Sequence, residues 1–108
     1  MFPGSRGWWR NDGSLKQFFV YVMSNNSMTL YTGVTANLEK RVNDHKSGIG
    51  CAFTQRYHFD RLVYFEVIDD ADDAFRREKQ IKGWTRAKKI ALVKSLNPQW
   101  RDLAVPSS

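Results

Sequence analysis

Two strand-forming segments separated by a short polar turn constrain the fold more than any other feature of this chain. The segments FFVYVM (18–23) and TLYTGV (29–34) are rich in the β-branched and aromatic residues that sheets favour, and SNNS between them supplies turn residues. The pattern predicts a β-hairpin. Tyr21 and Tyr31 lie on its two strands, where they either serve packing alone or place two phenols opposite one another for chemistry.

A helix and a third strand are expected after the hairpin. Thr35 or Asn37 can cap the helix, and we expect it to end near Ser47–Gly48, where glycines interrupt the pattern. The segment RLVYFEV (61–67) then restores the strand composition.

Two further helices complete the predicted fold. The segment DDADDAFRREKQIKGW (69–84) opens with acids and has lysines before Gly83, as expected of a helix that ends at a C′ glycine. Thr85 can cap a last helix, which stops at Asn97–Pro98. The order is therefore β-β-α-β-α-α, which predicts a small α+β domain with a three-stranded sheet and helices packed against it.

The chain of 108 residues is long enough for one compact domain and too short for two. We expect this domain over 17–103, after an N-terminal arm (1–16) interrupted by glycine and proline, and before a short tail (104–108). The arm has no apolar core of a signal peptide, and no apolar run is long enough to cross a membrane. A single cysteine, Cys51, cannot form an internal disulfide, so a reducing cytoplasmic setting is expected.

A net charge of +6 and a pI near 9.7 favour nucleic acid or anionic lipid as a partner, although a merely solvated basic surface would look the same. The cations concentrate in RREKQIKGWTRAKK (76–89), where Glu78 is the only acid. Ile81 and Trp84 are interleaved with them, which indicates a face of a folded domain and not a floppy tail.

Glu78 occupies an unexpected position on the predicted helix. The apolar positions of that helix form one stripe: Ala71, Ala74, Phe75 and Ile81. Glu78 falls inside this stripe, and a carboxylate directed toward the core needs a partner. The partner is either an arginine in a buried ion pair or a divalent cation, since Mg²⁺ typically takes one or two protein carboxylates.

Arg41 and His45 are four residues apart and therefore share a face of the first helix, next to Leu38 and Val42. They either extend their polar ends past the core to water or line the rim of an anion site. The inward glutamate and the Arg41–His45 face are each a weak signal alone. Two tyrosines, an arginine, a histidine and an inward glutamate together form a more specific set.

These residues resemble the motifs of a GIY-YIG nuclease domain, most closely that of the small standalone bacterial members. The match extends over roughly 17–103. Its motif segments are Val20-Tyr21-Val22, Tyr31-Thr32-Gly33, 37–45, Arg77-Glu78-Lys79-Gln80-Ile81-Lys82-Gly83-Trp84 and Leu96-Asn97-Pro98. The chain departs from the pattern at Val20 and Val22, where the motif has glycine and isoleucine. It also has Val34 where some repair nucleases carry a lysine.

The resemblance implies an antiparallel three-stranded sheet and hydrolysis of phosphodiester bonds in DNA with Mg²⁺ or Mn²⁺. Carried over by position, Glu78 would hold the metal and Arg41 would bind the scissile phosphate. Tyr31 would contact the attacking water as base or relay, with Tyr21 as its support, or His45 would take the proton instead. Asn97 matches a polar position often found near the site.

The basic run supplies candidates for contacts with the DNA backbone, which position a duplex without reading its sequence: Lys79, Lys82, Arg86, Lys88 and Lys89. The chain is then expected to be a metal-dependent DNA endonuclease of repair or recombination, structure-selective or weakly sequence-specific. The alternative is a non-catalytic or partner-dependent nucleic-acid binding module of the same fold. A partner protein and a homodimer are both left open.

Overall fold

The computed structural model describes residues 17–47 and 58–104, in which the chain forms an antiparallel sheet and helices on both of its faces. The elements are β1 Phe18–Ser24, β2 Leu30–Thr35, α1 Leu38–Lys46, β3 Arg61–Ile68, α2 Ala71–Lys82 and α3 Arg86–Leu96. The predicted order and the α+β class are confirmed. The predicted arm, the glycines after α1, Cys51 and the end of the tail lie outside the described residues.

The sheet has the strand order β2-β1-β3, with β1 antiparallel to both neighbours. In the hairpin register Tyr21 is paired with Gly33, and Tyr31 is paired with Met23. The two tyrosines are therefore diagonal neighbours on one face and not directly opposite one another, a spacing that aromatic side chains still bridge. Asn25 closes the turn, since its Oδ1 accepts from the backbone N–H groups of Ser27 and Thr29, both at 3.0 Å.

The alternation along β1 separates two cores. Phe19, Tyr21 and Met23 pack with Leu38 and Val42 of α1, on what we call the tyrosine face of the sheet. The other side, the valine face, carries Val20 and Val22 of β1, with Ala74 and Ile81 of α2 and Val93 of α3 packed on them. Because both faces are covered, β1 is hydrophobic from Phe18 to Met23 instead of alternating with polar residues.

A polar side chain caps the start of each of the three described helices. Asn37 caps α1, since its Oδ1 accepts from Lys40 N at 3.1 Å, whereas Thr35 only bonds the backbone of Asn37 itself. Asp70 caps α2, and Thr85 caps α3 as predicted. None of these described helices is both long and apolar enough to cross a membrane.

Two details of α2 differ from the prediction. Gly83 is the C-cap with φ −80°, so the helix ends without the left-handed glycine that was expected; its N–H is shared between the carbonyls of Lys79 and Gln80. Phe75 was placed in the apolar stripe but is exposed. The helix is rotated so that Ala74 and Ile81 meet the sheet, and Arg77 bonds β3.

Candidate active site

Four of the predicted residues meet on the tyrosine face. The hydroxyl of Tyr21 lies 3.0 Å from His45 Nε2, in a buried hydrogen bond between the central strand and α1. The ring centroid of Tyr31 lies 4.9 Å from that of His45 and 6.3 Å from that of Tyr21. Hydrogen bonds from the Arg41 guanidinium to both phenols complete the group, which we call the tyrosine cluster.

Solvent exposure divides the tyrosine cluster into two layers. Tyr21 is 1% exposed and His45 is fully buried, so neither can touch a substrate. Tyr31 is half-buried, and the side chain of Arg41 is 30% exposed. The structure therefore has a buried Tyr21–His45 pair beneath the partly exposed side chains of Tyr31 and Arg41.

Gly33 makes room for this arrangement, although the sequence analysis gave it no role beyond its place in a motif. A Cβ at Gly33 would lie 2.5 Å from the Tyr21 hydroxyl and 2.7 Å from its Cζ, closer than any side chain tolerates. The available signal was a glycine inside a strand, which often marks a close approach of another group.

Gly33→Ala is expected to push the Tyr21 phenol away from His45 and to lower the free energy of unfolding by about 1–3 kcal/mol, the usual effect of overpacking a buried site. Urea unfolding measures the loss. Gly83→Ala is the matched control, because a Cβ there meets backbone oxygens only at 3.6 Å and the φ is right-handed. Equal stability of both variants would show that the Tyr21 ring can move away from a Cβ at position 33 without a loss of stability.

The charges of the tyrosine cluster are unevenly distributed. Burial, reinforced by the nearby Arg41 charge and partly opposed by Asp44, lowers the pKa of His45 to about 4, so the imidazole is neutral at pH 7. Burial also acts to lower the pKa of Arg41, but hydrogen bonds and charge interactions with the Tyr21 and Tyr31 phenols outweigh it and raise that pKa. Arg41 is the cation of the cluster, and His45 is not.

Acid is expected to destabilise the protein through His45. Unfolding returns the imidazole pKa from about 4 to its ordinary value of 6.5, so the unfolded chain binds more protons between these pH values. The stability that this group contributes above its ordinary pKa is therefore lost as the pH falls through its folded-state pKa, by about 3 kcal/mol. Urea unfolding across this range measures the loss, and His45→Gln should remove that part of the pH dependence. An unchanged dependence in the variant would contradict the assignment.

Glu78 lies on α2, which packs against β2 and β1 on the valine face. Its side chain is 12% exposed, in agreement with the inward orientation expected from the sequence. The partner is Lys82 one turn along the same helix, with Nζ 2.5 Å from Oε2, and not the arginine that one alternative required. Within 17–47 and 58–104 no group of three or more acidic, histidine or cysteine side chains could hold a metal ion.

Comparisons with known proteins agree with the fold. The model of the GIY-YIG catalytic domain matches residues 17–91. The chain belongs to the GIY-YIG family. It resembles a UPF0213 protein of Syntrophus aciditrophicus at 40% identity over 82 residues, which are 75% of this chain and 93% of the relative.

Other relatives extend this result. A UPF0213 protein of Natronomonas pharaonis is 44% identical over 75 residues, 69% of this chain and 88% of the relative. The solution NMR structure of a UPF0213 protein of Bacillus halodurans is similar with a TM-score of 0.53 and 28% identity, covering 85% of this chain and 99% of that one. The chain thus matches most of the length of each of these proteins.

The segment that carried most of the GIY-YIG resemblance, 77–84, fastens α2 to the sheet. Arg77 Nε lies 2.8 Å from Glu66 Oε2 on β3, and its guanidinium lies 5.2 Å from the centre of the Trp84 ring. The Tyr64 hydroxyl donates to the other oxygen of Glu66 at 2.5 Å, and burial together with this bond raises the pKa of Tyr64 to about 12. The segment therefore seats the helix that carries Glu78.

Asn97 is buried at the end of α3, and its contacts are structural. Its Nδ2 donates to the carbonyls of Val63 and Arg101, at 3.0 and 2.8 Å, and its Oδ1 accepts from Arg101 N. The amide thereby joins the end of α3 to β3, which lies on the opposite side of β1 from β2. A catalytic role for Asn97 stays a prediction that these contacts do not support.

The five basic residues predicted to bind DNA differ in their surroundings. Lys79 and Arg86 are exposed, and Lys89 is half-buried. Lys82 pairs with Glu78, and the ammonium of Lys88 lies 4.5 Å from the centre of the Trp84 ring. Their role in binding stays a prediction.

Proposed function

We propose that this GIY-YIG protein is a divalent-metal-dependent endonuclease that hydrolyses phosphodiester bonds in DNA. The observation that carries the proposal is the layered tyrosine cluster, in which a buried Tyr21–His45 pair underlies the half-buried Tyr31 and the exposed end of Arg41. A cluster that served packing alone would have no need of an arginine at its open side.

Arg41 binds the scissile phosphate in this proposal. Its guanidinium offers paired N–H donors that match two phosphate oxygens, a geometry that a lysine ammonium does not reproduce. The hydrogen bonds to the Tyr21 and Tyr31 phenols orient the guanidinium before a substrate arrives, so little ordering remains for the bound state.

Tyr31, and not His45, acts on the attacking water. His45 is fully buried, and its low pKa makes it a weak base, so it neither reaches water nor holds a proton near pH 7. Tyr31 deprotonates or orients the water with its partly exposed hydroxyl. Tyr21 and His45 are positioning residues, because they hold the Tyr31 ring and Arg41 without touching the substrate.

The carboxylate of Glu78 suits a Mg²⁺ or Mn²⁺ ion, since such ions are often bound by one or two carboxylates, with water and substrate phosphates as the remaining ligands. Lys82 engages Oε2, which leaves Oε1 of Glu78 for the ion. The metal, when bound, supplies Lewis-acid stabilisation of the phosphoryl group and of the leaving oxygen.

The same ion pair favours a second candidate, a nucleic-acid binding module that does not cut. In that protein the Lys82 ammonium takes the place of the metal beside Glu78, and the tyrosine cluster holds phosphate without hydrolysing it.

Incubation of the protein with flap, junction and plain duplex DNA distinguishes the candidates, each substrate being tested with Mg²⁺, with Mn²⁺ and with chelator. We expect cleavage that the chelator abolishes, with a preference among DNA structures because contacts with the DNA backbone do not read sequence. DNA binding without cleavage of any substrate would support the binding module instead. Glu78→Gln serves as the control for contaminating nucleases.

A further inference from the structure

The last turn of α1 is tied to the C-terminal segment of the chain. Lys46 directly follows His45, and its Nζ lies 2.6 Å from Oδ2 of Asp102. The Asp102 side chain is 16% exposed, so this ion pair is less screened by water than a surface pair.

Asp102 is itself held firmly against the sheet. Its Oδ1 accepts from Leu62 N at 3.1 Å and from Ala104 N at 3.0 Å, and Leu103 N donates to Leu62 O at 2.8 Å. These bonds attach the segment to the outer edge of β3, where Leu103 and Ala104 also pack on the core that contains Tyr21. One carboxylate thus links the edge of the sheet to the end of α1.

Of the other ion pairs among the described residues, only that of Arg77 with Glu66 also joins two elements, α2 and β3. Asp73 and Arg76 pair within α2, and Lys40 and Asp44 pair within α1, so neither pair holds one element against another. The Lys46–Asp102 pair joins residues 56 positions apart. A contact of this kind fixes the position of a helix end, and the residue beside it on α1 is His45.

We propose that Asp102 is a positioning residue for the tyrosine cluster: by holding Lys46 it sets the last turn of α1, and with it the His45 ring against the Tyr21 hydroxyl. The proposal rests on the proposed function for its effect on catalysis. Its effect on the geometry of His45 does not depend on cleavage.

Two substitutions with opposite changes of charge test this role. Asp102→Asn keeps an oxygen for Leu62 N and Ala104 N but removes the charge that holds Lys46, and Lys46→Gln removes the other partner. Each is expected to lower kcat for DNA cleavage about tenfold, with KM changed less than about twofold. Because one variant gains positive charge and the other loses it, altered attraction of DNA cannot produce the shared effect.

The ¹⁵N resonances of the His45 ring give a readout that is independent of catalysis. Both variants are expected to shift these resonances in spectra recorded well below the melting temperature. The double variant should show the same shift as either single variant. Asp73→Asn makes the same chemical change in a pair confined to α2, and it should leave these resonances and kcat unchanged. Unshifted His45 resonances in Asp102→Asn, or an equal effect of Asp73→Asn, would overturn the proposal. Absence of cleavage by the wild type would reject the proposed nuclease, while the resonances would still decide the role of Asp102.

Discussion

Tyr31→Phe is expected to lower the rate of DNA cleavage by about a hundredfold to ten-thousandfold, the range associated with losing a group that transfers a proton. The substitution keeps the ring, whose centroid lies 4.9 Å from that of His45 and 5.6 Å from that of Phe59, and removes only the hydroxyl. The fold should therefore survive, with circular dichroism and urea unfolding close to those of the wild type. Single-turnover cleavage in Mg²⁺ measures the effect.

Two other tyrosines make this result interpretable. Tyr64→Phe removes a phenol that bonds Glu66 on the valine face, so it should leave the cleavage rate unchanged. Tyr21→Phe breaks the buried bond to His45 and should cost about 1 kcal/mol of stability as well as activity. Full activity of Tyr31→Phe would show that its phenol has no catalytic role, and the buried His45 could not replace it as the base.

Local signals account for most of the fold. The caps at Asn37 and Thr85, the polar turn after β1 and the element order could all be read from the sequence, because each depends on residues close together in the chain. The α+β architecture then follows, since three strands with apolar faces must be covered by helices.

Register and helix rotation could not be predicted in this way. The pairing of Tyr21 with Gly33 depends on the geometry of the turn, and one residue of slip in β2 would move Tyr31 to the face opposite Tyr21. The exposure of Phe75 depends on which side of α2 meets the sheet, and the long-range contact of Arg77 with Glu66 decides that side.

The candidate site was predictable as a set of residues but not as an arrangement. Nothing in the sequence shows that Tyr21 and His45 are buried while Arg41 stays exposed, because burial depends on α1 packing over the hairpin. The partner of Glu78 did have a local signal, because a glutamate followed by a lysine four residues later commonly forms an ion pair on a helix. Asn97 was assigned near the site by resemblance alone, whereas its bonds are to the backbone of β3 and the C-terminal turn.

Glu78→Gln is expected to reduce metal-dependent cleavage at least about a thousandfold, because the amide is a neutral ligand and does not attract a divalent cation as a carboxylate does. The ion pair with Lys82 joins residues of one helix, so its loss should change the free energy of unfolding by less than about 1 kcal/mol. Cleavage of a junction or flap substrate over a range of Mg²⁺ concentrations measures the loss.

Glu39→Gln is the matched control, since it makes the same change of charge at an exposed position in the first turn of α1 and should leave cleavage unchanged. DNA binding in chelator should persist or strengthen in Glu78→Gln, because Lys82 is released and the protein gains positive charge. This one substitution would then separate DNA binding from DNA cleavage. A variant that binds DNA but no longer cuts it identifies Glu78 as the group through which the metal acts. A variant that cuts as well as the wild type would confine Glu78 to its ion pair with Lys82, and the carboxylate that serves the metal would have to lie elsewhere in the chain.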